Sequence, residues 1–454
     1  MNVLNLFGLA MVALTAQTFA HAGVSAAEAA KLKAELTPFG AERAGNKEGT
    51  IPAWNGGMTT PIAGDVPGGR RGDPFKAEKP VLSINAQNMA THADKLSDGT
   101  KALLKKYPDS FRVDVYPTHR TAAAPQSVYD NTFRNATQAK LVEGPAGSMP
   151  TGAYAGIPFP IPANGTEVMW NHTLRWRGEA FRWDVHQYSI TPDGRRVLVN
   201  DGNGDNNVPY YQLRAGSFEK WNGGFFDVRI NTVGPALRAG EALLARLNVD
   251  DEKTSAWVYL TGQRRVRKLP NPCCDTPAPQ TAGVMTFDEL EGFAGRTGKF
   301  DWKLIGKKEL YVPYNSNRSL QPTKDADLVG QRHLNPDFVR WELHRVWVVE
   351  ATVKAGQRHV SPRSIYYIDE DSWHVVLADR WDANGQLART LWQLPYAMPD
   401  IPAVTTVTFG MHDLISGAWY ANGIFNEKKE QYRIVAPYKE TVFSPDSLAG
   451  DSVR

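Results

Sequence analysis

The chain is predicted to be an α+β protein built on one large antiparallel β-sheet. Three observations carry that expectation: large apolar residues alternate with a period of two, turns of a few residues separate the runs, and helix signals are confined to the N-terminal part. The alternation is plainest between Trp341 and Pro395, where four consecutive runs carry five tryptophans. In WELHRVWVVEATV, Trp341, Leu343, Trp347, Val349, Ala351 and Val353 share one side of a pleat, and Glu342, His344, Glu350 and Thr352 take the other. Lys354-Ala355-Gly356-Gln357 turns the chain into RSIYYID. Asp369-Glu370-Asp371-Ser372 leads on to WHVVLADRW, and Asp382-Ala383-Asn384-Gly385 to QLARTLWQLP. Links this short cannot cross over to make parallel pairs, so the stretch is a meander. Rings along one face of it need an apolar cover, which a helix, another sheet or a ligand can supply.

Taken in order, Val3 to Ala16 form an apolar run and Ala20-His21-Ala22 fits the small-residue rule for signal cleavage, so residues 1–22 are expected to be an export signal and the mature chain to begin near Gly23. The apolar run is shorter than the ~20 residues a spanning helix needs. With no cysteine beside the cut, lipid attachment there is excluded, and no later segment is apolar enough to cross a bilayer as a helix.

Residues 23–165 are expected to form an arm and helices. Ser25 and Glu28 match a capping box that opens a short helix over AAEAAKLKAEL. The Gly- and Pro-rich stretch that follows Leu36 runs as an irregular arm, and its Trp54 suggests that it packs on something. Helical composition covers Asn85 to Tyr107, interrupted at Ser97-Asp98-Gly99 and stopped by Pro108, and a third helix is expected over Gln126 to Val142. EGPAGSMPTGAYAGIPFPIP reads as a loop, since its prolines forbid a central strand.

Residues 166–454 are expected to be the sheet domain, packed with the helices into one unit. TEVMWNHTLRWRG aligns Val168, Trp170, His172, Leu174 and Trp176 as a strand, and AFRWDVHQYSI aligns Phe181, Trp183 and Val185. Thr191-Pro192-Asp193-Gly194 turns the chain into RRVLVN. Ala236 to Leu247 is ambiguous between helix formers and a strand context, with strand narrowly favoured. SAWVYL and QRRVRKL make a hairpin, Leu304 to Tyr314 adds to the sheet, and VTTVTFGMHDLI and GAWYANGIF close it. The sum is three short helices followed by roughly twelve strands.

Composition narrows the function classes. The 51 basic residues against 48 acidic ones leave little net charge and no dominant basic block, so nucleic acid is not an expected partner. The basic run Arg264-Arg265-Val266-Arg267-Lys268 reads equally as a site for an anionic partner and as a solvated edge strand. Asp201-Gly202-Asn203-Gly204-Asp205-Asn206-Asn207 resembles a calcium loop, but Asn206 stands where glycine is required and Gln212 where glutamate is, which favours a turn. The two cysteines, Cys273 and Cys274, are adjacent, and two loop thiols or an inert vicinal disulfide are favoured over a redox switch. No phosphate loop, dinucleotide fingerprint, nucleophile elbow or zinc spacing is present, so no cofactor, metal or enzymatic activity is expected. His172 and His186, on neighbouring expected strands with Asp184 nearby, are the only histidine–carboxylate candidates, and sheet-surface histidines are the favoured reading of both.

Four phrases carry a family resemblance: LTPFGAERAGNKEGTIPAWNGG from Leu36, WVYLTGQRRVRKLPNP from Trp257, FDWKLIGKKELYVPYN from Phe300, and RWELHRVWVVEATVKAGQRHVSPRSIYYIDEDSWHVVLADRWDANGQL from Arg340. In these the chain resembles the bacterial domain of unknown function 1329 family over nearly its whole length. That family is similar in fold to the periplasmic lipoprotein carriers LolA and LolB, in which a curved half-barrel sheet wraps helices and holds acyl chains. The resemblance implies the company of resistance-nodulation-division (RND) exporters and defines no catalytic residue. Cys273-Cys274 departs from the pattern.

The joint expectation is a periplasmic carrier whose curved sheet, covered by a few N-terminal helices, binds a lipid-like hydrophobic molecule and passes it between an inner-membrane RND-type exporter and the outer membrane. Trp170, Trp183, Trp341, Trp347, Trp373 and Trp381 are the expected lining, although a one-residue change of register would exchange the faces. A non-enzymatic scaffold docking a membrane protein, and a periplasmic hydrolase using His172, His186 and Asp184, are the alternatives.

Overall fold

The computed structural model describes residues 23–451 apart from 66–68, 145, 215, 271–272, 282 and 430–431. The export signal expected over 1–22 lies outside the described residues. Two antiparallel meanders joined edge to edge form the main sheet. The first runs through β1 (Ala180–Ile190), β2 (Arg196–Asn207), β3 (Gly224–Gly234), β4 (Ala242–Asn248), β5 (Ser255–Leu260) and β6 (Arg265–Lys268). The second runs through β7 (Phe300–Pro313), β8 (Trp341–Val353), β9 (Arg363–Asp369), β10 (Val375–Trp381), β11 (Leu387–Gln393), β12 (Phe409–Asp413) and β13 (Trp419–Ile424). The seam is β13 against β1, with Trp419 opposite Ile190. β6 and β7 end the two meanders without pairing to each other, so the sheet stays open, and β6 is the charged edge strand its sequence suggested. Seven of the strand pairings contain a register shift, each of which bends a strand.

Local chemistry explains most of these elements. In α1 (Ala26–Ala30) the Glu28 N–H donates to Ser25 Oγ and the Ser25 N–H to the Glu28 carboxylate, the predicted capping box. α2 (Asp98–Lys106) is capped by Ser97 and ends ahead of Pro108. α3 (Gln126–Gln138) is shorter than expected, because Lys140–Val142 leaves it to pair with Met149–Thr151 in a two-stranded ribbon.

The strand expected from Thr166 is a helix instead, α4 (Gly165–Thr173). Asn164 Oδ1 accepts the Glu167 N–H at 3.0 Å, and Glu167 Oε2 accepts the Ala163 N–H at 2.6 Å, which fixes the helix start. Every residue from Glu167 to His172 is buried. A helix covered on all sides shows no polar face, so its apolar spacing cannot be told from that of a strand.

A second correction concerns Asp201 to Asn207, expected as a turn. These residues are the second half of β2, in register with both β1 and β3. Glycine serves packing here: a Cβ on Gly204 would lie 2.2 Å from the Trp183 ring, so its absence lets the indole rest on the strand.

The second meander is covered on both faces. Along β9, Tyr366 and Ile368 enter one core while Ile365 and Tyr367 enter the other, and all seven residues of β10 are buried. The row that begins at Trp341 is divided between them: Trp341 and Leu343 join the core under α2, and Trp347, Val349 and Ala351 the core under α4. α2 docks end-on, with the Gly99 N–H donating to Asp379 Oδ2 at 3.0 Å while Thr390 Oγ1 donates to Oδ1 at 2.9 Å. Glycine is required at 99, since a Cβ there would lie 2.1 Å from Asp379 Oδ1.

Burial pushes the Asp379 carboxyl up to about 6. The folded carboxyl therefore keeps its proton up to about pH 6 while the unfolded one releases it near 4. The stabilisation from the protonated form is complete at low pH and is lost as pH rises through about 6. Asp379→Asn has no such titration, so the stability of the wild type relative to this variant should fall by about 1 kcal/mol between pH 5 and pH 7.5. Urea denaturation of both proteins at both pH values measures this, and a difference independent of pH would contradict it.

Candidate binding cavity

Between the face of the first meander and its cover the chain leaves a cavity of about 190 Å³. An engineered apolar cavity of about 150 Å³ suffices to take up benzene, so this one has room for apolar matter. Its floor is a set of directly opposed pairs on β3 and β4: Phe226 with Leu247, Val228 with Ala245, and Ile230 with Leu243. Asp227 and Arg229 lie between these lining residues along β3, which is the period of two expected of a strand with one face on an apolar space. Trp183 on β1, Phe409 on β12 and Val407 complete the sheet side.

The cover is α4, the turn after it, and the segment 286–297. This segment is held by buried charges. Asp288 accepts from Arg380 Nη1 on β10 at 3.1 Å and lies 2.9 Å from His359 Nε2, with none of the three side chains exposed. Burial opposes ionisation of Asp288, yet Arg380 and His359 hold its carboxyl far below the usual carboxylate range. Glu289 accepts twice from Arg389 on β11, at 2.7 and 2.9 Å, and also closes a capping box with Thr286.

Two residues later Glu291 sits in the left-handed region with φ of 50°. Its Oε2 accepts from Arg175 at 2.7 Å and from Arg177 at 2.5 Å. Burial opposes this ion as well, but the two guanidinium groups bring the Glu291 carboxyl down to about 2. Arg175 is itself pushed down to about 10 by burial and by the charge of Arg177. The turn carrying the arginines is pinned through its backbone, since Tyr211 and Tyr432 donate to the carbonyls of Leu174 and Arg177, and the Trp176 indole donates to Pro402.

The six tryptophans expected at a pocket are dispersed. Trp170 and Trp183 line this cavity, donating to Ser148 O and Asn206 Oδ1. Trp341 lines a second space of about 40 Å³ beneath α2. Trp347 and Trp373 stack with centroids 6.1 Å apart, and Trp381 lies under the Arg363 guanidinium. The pairs on β3 and β4 escaped the sequence reading, although their alternation was visible in FFDVRIN. Arg175 and Arg177 escaped it because a strand through Trp176 turns them outward.

The histidine candidates lie on different elements. His172 is on α4, not on a strand beside His186, and its Nδ1 meets the Trp373 carbonyl and the Val375 N–H, both at 3.1 Å. Burial pushes that ring well below the usual histidine range. His186 Nδ1 lies 2.5 Å from Asp325, which also accepts from Tyr188. Asp184 is in register with Asn203 on β2. Among the described residues two groups bring metal-type donors together: His186, Asp325 and Glu427, and His344, Asp369 and Asp371. In the second, both Asp371 oxygens already accept from Arg120, at 2.7 and 2.8 Å, within a buried ionic network that holds the N-terminal arm. Cys273 and Cys274 are both buried.

The model of the family described as "Protein of unknown function (DUF1329)" matches residues 83–449, and the chain belongs to that family. It is 39% identical over 463 aligned positions to the Pseudomonas aeruginosa protein PA3922, with 98% of this chain and 97% of that protein covered. Among solved structures it is similar to a DUF1329 family protein from Desulfovibrio piger (12% identity, TM-score 0.42, 63% of this chain and 97% of that one). It is also similar to a putative outer membrane lipoprotein-sorting protein domain from Vibrio parahaemolyticus (12%, 0.43, 63% and 98%). Likenesses of this size say nothing of what this chain binds. No helix among the described residues is long and apolar enough to cross a membrane.

If Asp288 fixes the cover, Asp288→Ala leaves the Arg380 charge buried without its partner. The expected loss of stability is about 3–5 kcal/mol in urea denaturation. A loss below about 1 kcal/mol would mean that the segment is held by something else.

Proposed function

We propose that this protein is a periplasmic carrier that takes a lipid-like hydrophobic molecule into the cavity between β1–β4 and the α4 cover. The single observation behind this reading is the cavity itself. Phe226, Val228, Ile230, Leu243, Ala245 and Leu247 line an unfilled space in a chain whose other meander is packed on both faces. Binding there removes apolar ligand surface from water at roughly 25 cal/mol per Å², less the cost of ordering. In this proposal Trp170 and Trp183 touch the ligand, and Trp341, Trp347, Trp373 and Trp381 lie outside the cavity lining. Passage between an RND-type inner-membrane exporter and the outer membrane is the wider role proposed. The family resemblance and the export signal expected at residues 1–22 support it.

The neutral fluorophore N-phenyl-1-naphthylamine, titrated into delipidated protein, tests the carrier reading. Saturable binding is expected in the wild type. In Ala245→Trp, where an indole occupies the floor, affinity should fall at least about tenfold with the fold retained by circular dichroism. A wild type that binds no probe, or an Ala245→Trp variant that is correctly folded and binds as well, would overturn the assignment.

A further inference from the structure

The mainly apolar wall of the cavity carries two charged clusters, and in one of them, Asp251 with Arg296, the charges balance. Most polar groups of its wall are bonded within the protein: Asn206 accepts from Trp183, the Asn422 amide donates to Val407 O, and Thr173 Oγ1 donates to Met169 O. Arg175 and Arg177 differ. They are 2% and 5% exposed, both line the cavity, and the Nε of each has no hydrogen-bond partner among the described residues. Both direct a nitrogen to the same oxygen of a single carboxylate, Glu291 Oε2, so the cluster carries two positive charges against one negative. An uncompensated buried charge costs several kcal/mol, and desolvated guanidinium groups are built to receive planar or tetrahedral oxyanions. Glu291 is also held in a left-handed backbone conformation that disfavours a glutamate, and its side chain keeps 29% of its surface open. Strain of this kind accumulates at ligand sites. The Arg177 guanidinium lies 4.1 Å from the centroid of Phe226, a floor residue, which puts the positive charge directly beside the apolar space.

We infer that the molecule carried is an anionic amphiphile, its apolar chain in the cavity and its carboxylate or phosphate head on Arg175 and Arg177, where it supplies the negative charge that Glu291 alone does not. This rests on the carrier reading and narrows it to a ligand class. Displacement of N-phenyl-1-naphthylamine by dodecanoate, dodecyl phosphate and 1-dodecanol, all below their micelle concentrations, separates the two. A charged hydrogen bond made in a desolvated site predicts that an anionic competitor binds about tenfold or more tightly than the alcohol of the same chain length. Preference for dodecanoate or for dodecyl phosphate then identifies a carboxylate or a phosphate head. In Arg177→Met the ratio of anion to alcohol affinity should collapse toward one. In Glu291→Gln, which frees both guanidinium groups, the advantage should grow. Equal binding of the anions and the alcohol by the wild type would overturn the headgroup assignment and leave the carrier intact, and that comparison needs no variant to fold. Failure of all three, and of the probe, would remove the carrier reading and this inference with it.

Discussion

Asp288, with no exposed side-chain surface, lies against the Arg380 guanidinium on β10 and the His359 ring in the turn between β8 and β9. Charges removed from water in this way persist only when paired, so the position of the segment that carries Asp288 is set by the sheet beneath it. Glu289 repeats the device one residue on, against Arg389 of the next strand. With two consecutive side chains committed to the second meander, the chain reaches the cavity at Glu291, which turns back in a left-handed conformation and meets Arg175 and Arg177. The roof over the first meander is thus anchored in the second. This bridge of ions adds to the apolar core that the two halves share and to the β13–β1 seam.

The division of labour between the meanders follows from residue size and from cover. The second carries the large rings, and with helices and segments on both of its faces those rings fill both interiors: Trp373 and Trp419 are completely buried. The first places Val228, Ala245 and Leu243 where the second has indoles, and its cover stands off on the short α4 helix. Space remains over Val228, Ala245 and Leu243, beneath a roof fixed by buried charges as well as by apolar contacts such as Phe293 on Tyr366. An aromatic-rich strand pattern marks a well-filled core more readily than it marks a pocket.

Much of the architecture was legible in the sequence. The four strands between Trp341 and Gln393, the strand from Ala180 to Ile190, the hairpin at Ser255 and the capping box at Ser25 all stand where alternation, turn chemistry and capping put them. These signals are local, and each element they mark has a solvent edge, a short turn or a cap to punctuate it. What failed was nonlocal. α4 is buried all round, so its spacing carried no period. Gly204 answers to a tryptophan on the neighbouring strand, so as a local signal it imitated a turn. The site was hardest, because Glu291 is 116 and 114 residues from Arg175 and Arg177 in sequence, and nothing along the chain announces that the two arginines share one of its oxygens.

The charges around the cavity and the charges that govern stability respond to different pH ranges. Glu291 is held down to about 2 and Arg175 stays protonated up to about 10, so this cluster in the cavity wall keeps its ionisation across neutral and mildly acidic conditions. Burial has raised Asp227, Asp369 and Asp379 to about 6, and none of the three lines the cavity. Asp227 points away from it on β3, paired with Arg246, while Asp369 and Asp379 lie in the second meander. Acidification from pH 7.5 to pH 5 therefore protonates groups that hold the sheet together while the Arg175–Arg177–Glu291 cluster keeps its charge. A protein outside the buffered cytoplasm, as proposed for this one, meets such changes directly. The arrangement lets its stability follow the medium while the charge on the Arg175–Arg177–Glu291 cluster does not.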